Sequence, residues 1–188
     1  MDAVYVSSPV YLHKAHVISA AEHKKHIFCD KPMAMNSGEC REMIEACDQA
    51  GVILEICLVL RGWPIYQRVK EILDSGRLGI LIELRAHLAK WTERKEGAWR
   101  LDPARGGGGF LMDVGSHYLD LFRYLHGEFA RIAYMGSSAI FNWEVEESGF
   151  VLGEFTSGAH GMLGVTHAVP CSGHILEVYG TEGTLLLG

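Results

Sequence analysis

The sequence predicts an α/β domain followed by an α+β domain, and two observations carry this prediction. Up to about residue 60, short apolar segments alternate with segments of helical character in the order strand, helix, strand, helix, strand. That order is typical of a right-handed parallel βαβαβ unit. From about residue 130, short segments separated by Gly, Ser and Asn predict a mostly antiparallel sheet with helices on one face. We therefore expect two domains, residues 1–60 and 61–188.

The elements of the first domain are recognised by the residues at which they stop. The predicted strands are Ala3–Val6, His26–Cys29 and residues 52–60, and the first two end at Ser-Ser-Pro and Asp-Lys-Pro, as buried strands end in loops. Residues 14–23 have the pattern of a helix. A second helix can be capped by Asn36 or Ser37, and Gly51 is well placed to end it.

The second domain begins with a helix and then turns mainly to strands. The pattern predicts a helix over residues 66–73, a long strand over 80–91 and a helix over 110–125, before which four glycines occur at 106–109. Four further strands are predicted at residues 132–140, 151–155, 161–169 and 175–179. Residues 181–188 resemble a hairpin whose second strand is beginning, and we expect the sheet to continue in a longer parent sequence.

Composition and charge exclude several classes of function. The net charge is -6 and the lysines and arginines are scattered, so the chain has no basic face for nucleic acid. The five cysteines form no CxxC pair, which disfavours a disulfide framework and a zinc site and favours reduced thiols in the cytoplasm. We find no signal peptide, and the apolar runs are too short to span a bilayer, so we expect no membrane partner.

Polar side chains follow each of the three predicted strands of the first domain. Ser8, Lys31 and Arg61 come at or just after the strand ends, and ligands of parallel sheets bind beyond the carboxyl ends of the strands. These residues therefore predict a binding rim. Pro32 restricts the backbone and so orients Lys31, which favours a function for this lysine. The alternative is a solvated surface lysine, because lysines are usually exposed.

The predicted helix over residues 110–125 carries a second polar set. Asp113, His117 and Asp120 are spaced i, i+4 and i+7, so they share one face. A histidine flanked by carboxylates can act as a general base near neutral pH. Two alternatives stay open: an acidic residue at a helix N-terminus beside a surface histidine, or a metal site at Asp113 and His117. The chain has no HExxH and no further obvious ligand pair, so no metal ligand is predicted.

Four motifs occur along the chain in a family-specific order. They are Ser8-Pro9-Val10-Tyr11-Leu12-His13, similar to T/S-P-x-x-x-H; Asp30-Lys31-Pro32, similar to E-K-P; Arg61-Gly62-Trp63-Pro64, similar to R-x-x-P; and residues 107–120, which match G-G-G-x-L-x-D-x-G-x-H-x-x-D throughout. The last motif is specific. Together they resemble the Gfo/Idh/MocA family of oxidoreductases, which includes inositol and glucose–fructose-type dehydrogenases.

The resemblance implies a cofactor, a substrate class and a role for each matching residue. Residues 1–60 would be a partial Rossmann unit, the cofactor NAD or NADP, and the substrate a sugar, a polyol or a related hydroxy or keto compound. The catalytic set would be Lys31, Asp113 and His117, with His117 as general base. The nicotinamide side would be lined by Ser8, Pro9, His13, Asp30, Lys31 and Arg61. The resemblance also implies a homo-oligomer that forms through the sheet domain.

The resemblance covers nearly the whole chain but only about the middle half of a typical family member. The chain has no GxGxxG, and its glycines at 106–109 do not form a phosphate loop. We therefore expect a truncated dehydrogenase that lacks the first half of the Rossmann domain. Two alternatives are a non-catalytic fragment or pseudoenzyme that self-associates through its sheet, and a metal-dependent hydrolase that uses Asp113 and His117.

Overall fold

The first domain is a three-stranded parallel sheet with two helices on one face. The structure is a computed structural model that describes residues 1–92 and 97–188, apart from the side chains of Cys171, Ser172 and His174. The elements are β1 (Ala3–Val6), α1 (His13–Glu22), β2 (His26–Cys29), α2 (Ser37–Ala50) and β3 (Leu54–Ile56), and the strand order is β1-β2-β3. The predicted parallel βαβαβ unit is confirmed, because β2 pairs in parallel with both neighbours.

The two faces of this sheet differ in burial. Side chains of one face pack with the helices into a core that includes Val6, Ile27, Cys29, Val17, Ala21, Met43 and Cys47. On the other face Tyr5 and Phe28 are exposed, and their rings stack with centroids 5.4 Å apart. Of the two predicted capping residues, Asn36 caps α2 by accepting a hydrogen bond from the Glu39 amide, and Gly51 ends this helix in the left-handed conformation, as predicted.

The second domain is a six-stranded sheet that carries its long helices on one face. Its elements are α3 (Pro64–Asp74), β4 (Leu81–Trp91), α4 (Pro103–Gly106), α5 (Ser116–His126), β5 (Phe129–Ser137), β6 (Ser148–Phe155), β7 (His160–Thr166), β8 (Ala168–Gly180) and β9 (Thr184–Leu187). The strand order is β5-β6-β7-β4-β8-β9, with β4 and β7 parallel and every other pair antiparallel. The predicted mostly antiparallel sheet is confirmed.

The main hydrophobic core lies between this sheet and helices α3 and α5. Its largest fully buried members are Phe110, Leu121 and Phe122 on the helical side, and Leu84, Leu88, Phe155 and Leu163 on the strands. The opposite face of the sheet exposes Met135, Phe150 and Leu152. The long helices of the described residues therefore cover the other face of this sheet.

The third strand is shorter than the sequence predicts. Apolar residues run from 52 to 60, but β3 covers only Leu54–Ile56, and the chain then forms a 3-10 turn at Val59–Gly62. The last ladder bond runs from the Cys57 amide to the Cys29 carbonyl at 2.8 Å. Because β2 ends at Cys29, nothing beyond that point offers β3 a partner, and a hydrophobic pattern cannot reveal where the neighbouring strand stops.

Two further predictions differ from the structure. The helix expected over residues 110–125 begins with a π-helical turn at Leu111–Gly115 and becomes α-helical only at Ser116. The strand expected over 175–179 is the end of β8, which starts at Ala168 and passes through Pro170. Pairing with β4 extends it, since Trp91 lies opposite Ala168 across a register shift. Tertiary pairing thus overrides the Pro and Gly signals of this segment.

Candidate active site

Lys31 and Asp113 bring the two domains together. Lys31 follows β2 and Asp113 lies in the π-helical turn before α5. The Lys31 ammonium donates a hydrogen bond of 2.9 Å to Oδ1 of Asp113 and a second one to the backbone carbonyl of the same residue. Their side chains are 16% and 22% exposed, so the pair is partly shielded from water. The rim residue and the helix residue that the sequence proposed separately therefore meet in one place.

His117 lies in the first turn of α5, close enough to Lys31 and Asp113 for their charges to influence its pKa. Burial and the positive charge of Lys31 lower its pKa, and the carboxylate of Asp113 opposes them in part. The imidazole is therefore neutral near neutral pH and can accept a proton. Its Nδ1 is buried and has no hydrogen-bond partner within the described residues. A buried polar atom of this kind is suited to a ligand that brings its own donor or acceptor.

The π-helical turn changes how Asp113 and His117 are presented. The Ser116 amide bonds to the Leu111 carbonyl five residues earlier, which is the bond that defines a π-helix. This widened turn interrupts the one-face spacing that an α-helix would give, and such turns are often found at functional sites. Asp113 faces Lys31, and the charges of both act on His117.

Arg61, in the 3-10 turn that connects the two domains, is held by Asp120 of α5. Asp120 is buried, and the Arg61 guanidinium contacts both carboxylate oxygens, with 2.7 Å between Nε and Oδ2. The guanidinium also lies 5.6 Å from the ring centre of Tyr124. The expectation that Arg61 lines the nicotinamide side stays a prediction. In the structure, its guanidinium bonds both carboxylate oxygens of Asp120 on α5.

His13 is buried under the strand-end loops and contacts two of them. Its ring is 1% exposed, with Nε2 2.8 Å from the Ser8 carbonyl and Nδ1 3.1 Å from the Pro32 carbonyl. It therefore joins the turn after β1 to the turn after β2. The ring is covered by the loops that it joins, and the expectation that His13 lines the nicotinamide side stays a prediction.

The remaining rim residues are half-buried and lie at the strand ends. Ser8 Oγ is 3.0 Å from Nδ1 of His16, and Asp30 Oδ1 accepts a hydrogen bond of 2.9 Å from the Lys31 amide. Pro9 precedes the 3-10 turn that leads into α1. Their roles toward a cofactor stay predictions. Partly exposed polar groups thus stand at the carboxyl ends of parallel strands, where the ligands of such sheets bind.

Sequence reasoning missed Glu146, which holds the start of residues 109–117, the segment with the candidate residues Asp113 and His117 that we refer to as the catalytic segment. Its carboxylate accepts hydrogen bonds from the amides of Gly109 at 2.8 Å and Leu111 at 3.1 Å, and its carbonyl accepts one from Phe110 at 3.0 Å. Nothing in its spacing connects it with the glycine run, from which it is 37 residues away in the chain. Only the glycine at 109 hints at a close backbone approach.

Arg100 stands on the other side of Asp113. Its Nε lies 3.7 Å from Asp113 Oδ2, and its guanidinium covers the Trp99 ring at 4.2 Å. Both residues line a narrow cleft together with Pro32, Met112 and Asp113. The cleft thus contains residues from both domains, which places it between the strand ends and the catalytic segment.

Within residues 1–92 and 97–188, no three His, Cys, Asp or Glu side chains come together in a way that could hold a metal ion. In the same part of the chain, no helix combines the length and the apolar character needed to cross a bilayer.

Family models match both domains. Residues 66–186 match the model of the Gfo/Idh/MocA C-terminal domain, and residues 1–57 match that of the oxidoreductase family with an NAD-binding Rossmann fold. The chain belongs to the Gfo/Idh/MocA family. The boundary between these matches falls in the segment that holds the Arg61 turn.

Two curated members of the Gfo/Idh/MocA family illustrate the relationship. The chain is 32% identical to 1,5-anhydro-D-fructose reductase of Ensifer adhaerens, over 99% of this chain and 56% of the relative. It is 31% identical to myo-inositol 2-dehydrogenase of Thermotoga maritima, over 98% and 56%. The chain therefore spans about half the length of the curated relatives that it matches.

Solved Gfo/Idh/MocA structures share the arrangement of both domains. A levoglucosan dehydrogenase in complex with NADH and levoglucosan superposes with a TM-score of 0.92 at 26% identity, over 99% of this chain and 54% of that one. The WlbA dehydrogenase of Bordetella pertussis, in complex with NADH and UDP-GlcNAcA, gives 0.92 at 28% identity, over 98% and 55%. The comparisons give no support to a metal-dependent hydrolase or a non-catalytic protein.

Proposed function

We propose that this chain provides the nicotinamide-side and substrate-side residues of an NAD(P)-dependent dehydrogenase that acts on a sugar or polyol. The observation that carries the proposal is the meeting of Lys31, Asp113 and His117 at the junction of the two domains. Family membership and the sugar-directed relatives support the same reaction class. Since the chain spans about half of these relatives, their activity is transferred here as a proposal.

The residues present fit a nicotinamide at the rim of the parallel sheet. Ser8, Pro9 and Asp30 stand partly exposed at the strand ends, and the buried Nδ1 of His117 lacks a partner among the described residues. NAD or NADP, when bound, would supply the acceptor for the hydride that leaves the substrate carbon. The pyrophosphate and adenosine half would need groups other than those we have named.

The catalytic set then divides the proton chemistry among three side chains. In the oxidising direction, neutral His117 accepts the proton of the substrate hydroxyl. The Lys31 ammonium donates a hydrogen bond to the same oxygen and stabilises the negative charge that develops on it. Asp113 fixes the direction of Lys31 through its carboxylate and carbonyl. In the reducing direction His117 returns the proton to the oxygen.

Two finer features belong to the same proposal. The exposed apolar face of the second sheet, with Met135, Phe150, Leu152 and Met162, supports a homo-oligomer that forms through this face. The four cysteines whose side chains are described, Cys29, Cys40, Cys47 and Cys57, are free, which is compatible with work in the reducing cytoplasm.

The test is to titrate the chain with NADH and NADPH and then to follow NAD(P)H formation with a panel of polyols and sugars. When a segment that binds the pyrophosphate half is also present, we expect saturable cofactor binding, and turnover that His117→Ala abolishes while cofactor binding is kept. His126→Ala is the matched control, since His126 has a lowered pKa as well but bonds to Ser157 at 2.7 Å on the surface. Full turnover in His117→Ala, or a folded protein of this kind without cofactor binding, would contradict the proposal.

A further inference from the structure

The loop between β5 and β6 presents a cluster of aromatic rings. Phe141 stacks on Trp143 with ring centroids 4.5 Å apart, and Trp91, the last residue of β4, meets Phe141 edge-on at 5.1 Å. Trp91 is 50% exposed, and the other two rings are half-buried. We refer to Trp91, Phe141 and Trp143 as the aromatic platform. None of these residues belongs to the catalytic set.

The loop is held in one conformation by a buried carboxylate. Glu147 is 1% exposed and accepts hydrogen bonds from the amides of Ile140 at 2.6 Å and Phe141 at 2.7 Å. Asn142 adopts a φ of 52°, in the left-handed region that few residues other than glycine enter. A buried charge is costly unless hydrogen bonds satisfy it, so this arrangement ties the stability of the domain to the shape of the loop.

The aromatic platform lies at the same end of the sheet as the catalytic set. The Thr92 amide, next to Trp91, donates to the His167 carbonyl at 3.1 Å, and the His167 ring lies 3.5 Å from that of Phe110. Phe110 directly precedes the π-helical turn that holds Asp113. Two contacts therefore separate the platform from the start of the catalytic segment.

Glu146 connects the loop to the same segment by a second route. Its carboxylate binds the amides of Gly109 and Leu111, and Trp143 is three residues before it in the chain. Three residues span at most about 11 Å. The loop that carries Trp143 is therefore tied to the segment that leads into Asp113. The neighbouring dipeptide Glu146-Glu147 thus fixes both the catalytic segment and the aromatic loop.

We propose that the aromatic platform is a second sugar subsite, which binds the outer ring of a glycoside whose inner ring reacts at Lys31 and His117. The inference rests on the proposed function. A pyranose with equatorial hydroxyls has C–H faces that pack on aromatic rings, while its hydroxyls reach polar groups at the edge. Asn142 and Glu144 of the same loop are exposed and supply such groups. The substrate class is therefore a disaccharide or glycoside whose outer ring has equatorial hydroxyls.

The test labels the four tryptophans of the chain with fluorine and follows their NMR signals in the presence of NADH. Each signal is assigned with a Trp→Phe variant, and glucose or cellobiose is then added. We expect glucose to shift Trp99, which lines the catalytic cleft, and cellobiose to shift Trp91 and Trp143 as well. Trp63, which is 51% exposed and stacks on Tyr66, is the internal control that should respond to neither sugar.

Two substitutions sharpen the result. Trp143→Leu should weaken cellobiose binding by about three- to tenfold, as expected for the loss of one aromatic contact, and leave glucose binding unchanged. Trp63→Leu should change neither affinity. A cellobiose response confined to Trp99, or one equally strong at Trp63, would overturn the second subsite and leave the proposed function standing. If neither sugar shifts Trp91, Trp99 or Trp143, the subsite is overturned and the NADH titration decides the proposed function separately.

Discussion

The Lys31 ammonium and the Asp113 carboxylate, 82 residues apart in the chain, form an ion pair of 2.9 Å across the two domains. The same ammonium is bonded to the Asp113 carbonyl, so one lysine holds both the side chain and the backbone of the π-helical turn. The pair also sets the field at His117, where the lysine lowers the pKa and the aspartate raises it. The ion pair that joins the two domains therefore also influences the pKa of His117, the proposed base.

The opposing charges predict opposite changes in His117 when each member of the pair is neutralised. Lys31→Met should raise the pKa of His117 toward its ordinary value, because one of the two causes that lower it is removed. Asp113→Asn should lower the pKa further, since a favourable negative charge is lost. Titration of the His117 ring protons by NMR measures both. The neutral, proton-accepting imidazole of His117 would thus persist to lower pH in Asp113→Asn than in the parent chain. In Lys31→Met it would become protonated at a higher pH than in the parent chain.

His126 provides the control for this titration. Its pKa is also lowered by burial, and the charge that acts on it belongs to Lys70. Lys70→Met should raise the pKa of His126 and leave His117 unchanged, whereas Lys31→Met should do the reverse. If both histidines respond alike to both variants, the shifts reflect a general change in the fold and the specific coupling of Lys31 to His117 is rejected.

The link between Arg61 and Asp120 should contribute measurably to stability. Arg61→Met leaves a buried carboxylate without its two-point partner, and we expect a loss of about 1–3 kcal/mol in the free energy of unfolding. The matched control is Arg68→Met, which breaks an exposed i,i+3 pair with Glu71 and should cost less than about 0.5 kcal/mol. Urea unfolding of both variants gives the comparison.

A double variant tests whether the stability lost in Arg61→Met comes from the unpaired Asp120 carboxylate or from a general disturbance of the fold. Replacing Asp120 by Leu in the Arg61→Met background removes the orphaned charge, so part of the lost stability should return. If the losses in the free energy of unfolding of the two substitutions simply add, the unpaired carboxylate was not the reason for the loss in Arg61→Met.

The cofactor role expected for Arg61 makes a different prediction, because it requires NADH affinity to fall in Arg61→Met even under conditions in which the protein stays folded.

The sequence was most informative where a pattern is local. Strand ends at Val6 and Cys29, the Asn36 cap and the Gly51 stop depend on a few neighbouring residues, and the structure has them as predicted. The i, i+4 spacing of Asp113 and His117 predicted one helical face, and the structure places a π-helical turn in this segment, so their joint site stays a prediction. Local rules act through backbone geometry that the next residues in the chain decide, which is why they can be applied without a structure.

Features that depend on a distant partner could not be predicted. β3 stops where β2 stops, and β8 extends because β4 lies beside it. Glu146 approaches Gly109 only after the sheet has brought residues 37 apart into contact. The π-helical turn is a similar case, since neighbours packed in three dimensions decide whether a helical segment widens. Periodicity contains none of this information.

Gly109 is required by the backbone of Glu146. A Cβ at position 109 would lie 1.8 Å from the Glu146 carbonyl oxygen and 2.8 Å from its carbonyl carbon, and backbone cannot move aside as a flexible side chain can. Gly109→Ala should therefore destabilise the fold by at least about 1–3 kcal/mol and displace the segment with Asp113. Gly62→Ala is the control, because nothing lies within 4 Å of a Cβ at that position. Thermal unfolding of the two variants decides, and equal melting temperatures would show that the contact relaxes freely.

The apolar face of the second sheet makes the last prediction. Phe150 and Leu152 are two residues apart in β6 and so share one face of the sheet, where they are 53% and 55% exposed beside Met162 of β7. A two-fold interface contains each residue twice, so Leu152→Glu would bury two carboxylates among apolar groups and should weaken self-association at least about tenfold. Ile44→Glu on α2, where the side chain is 48% exposed, is the control and should leave association unchanged. Light scattering over a range of concentrations measures the mass of each variant. A monomeric parent chain, or an oligomer unaffected by Leu152→Glu, would exclude this face as the interface.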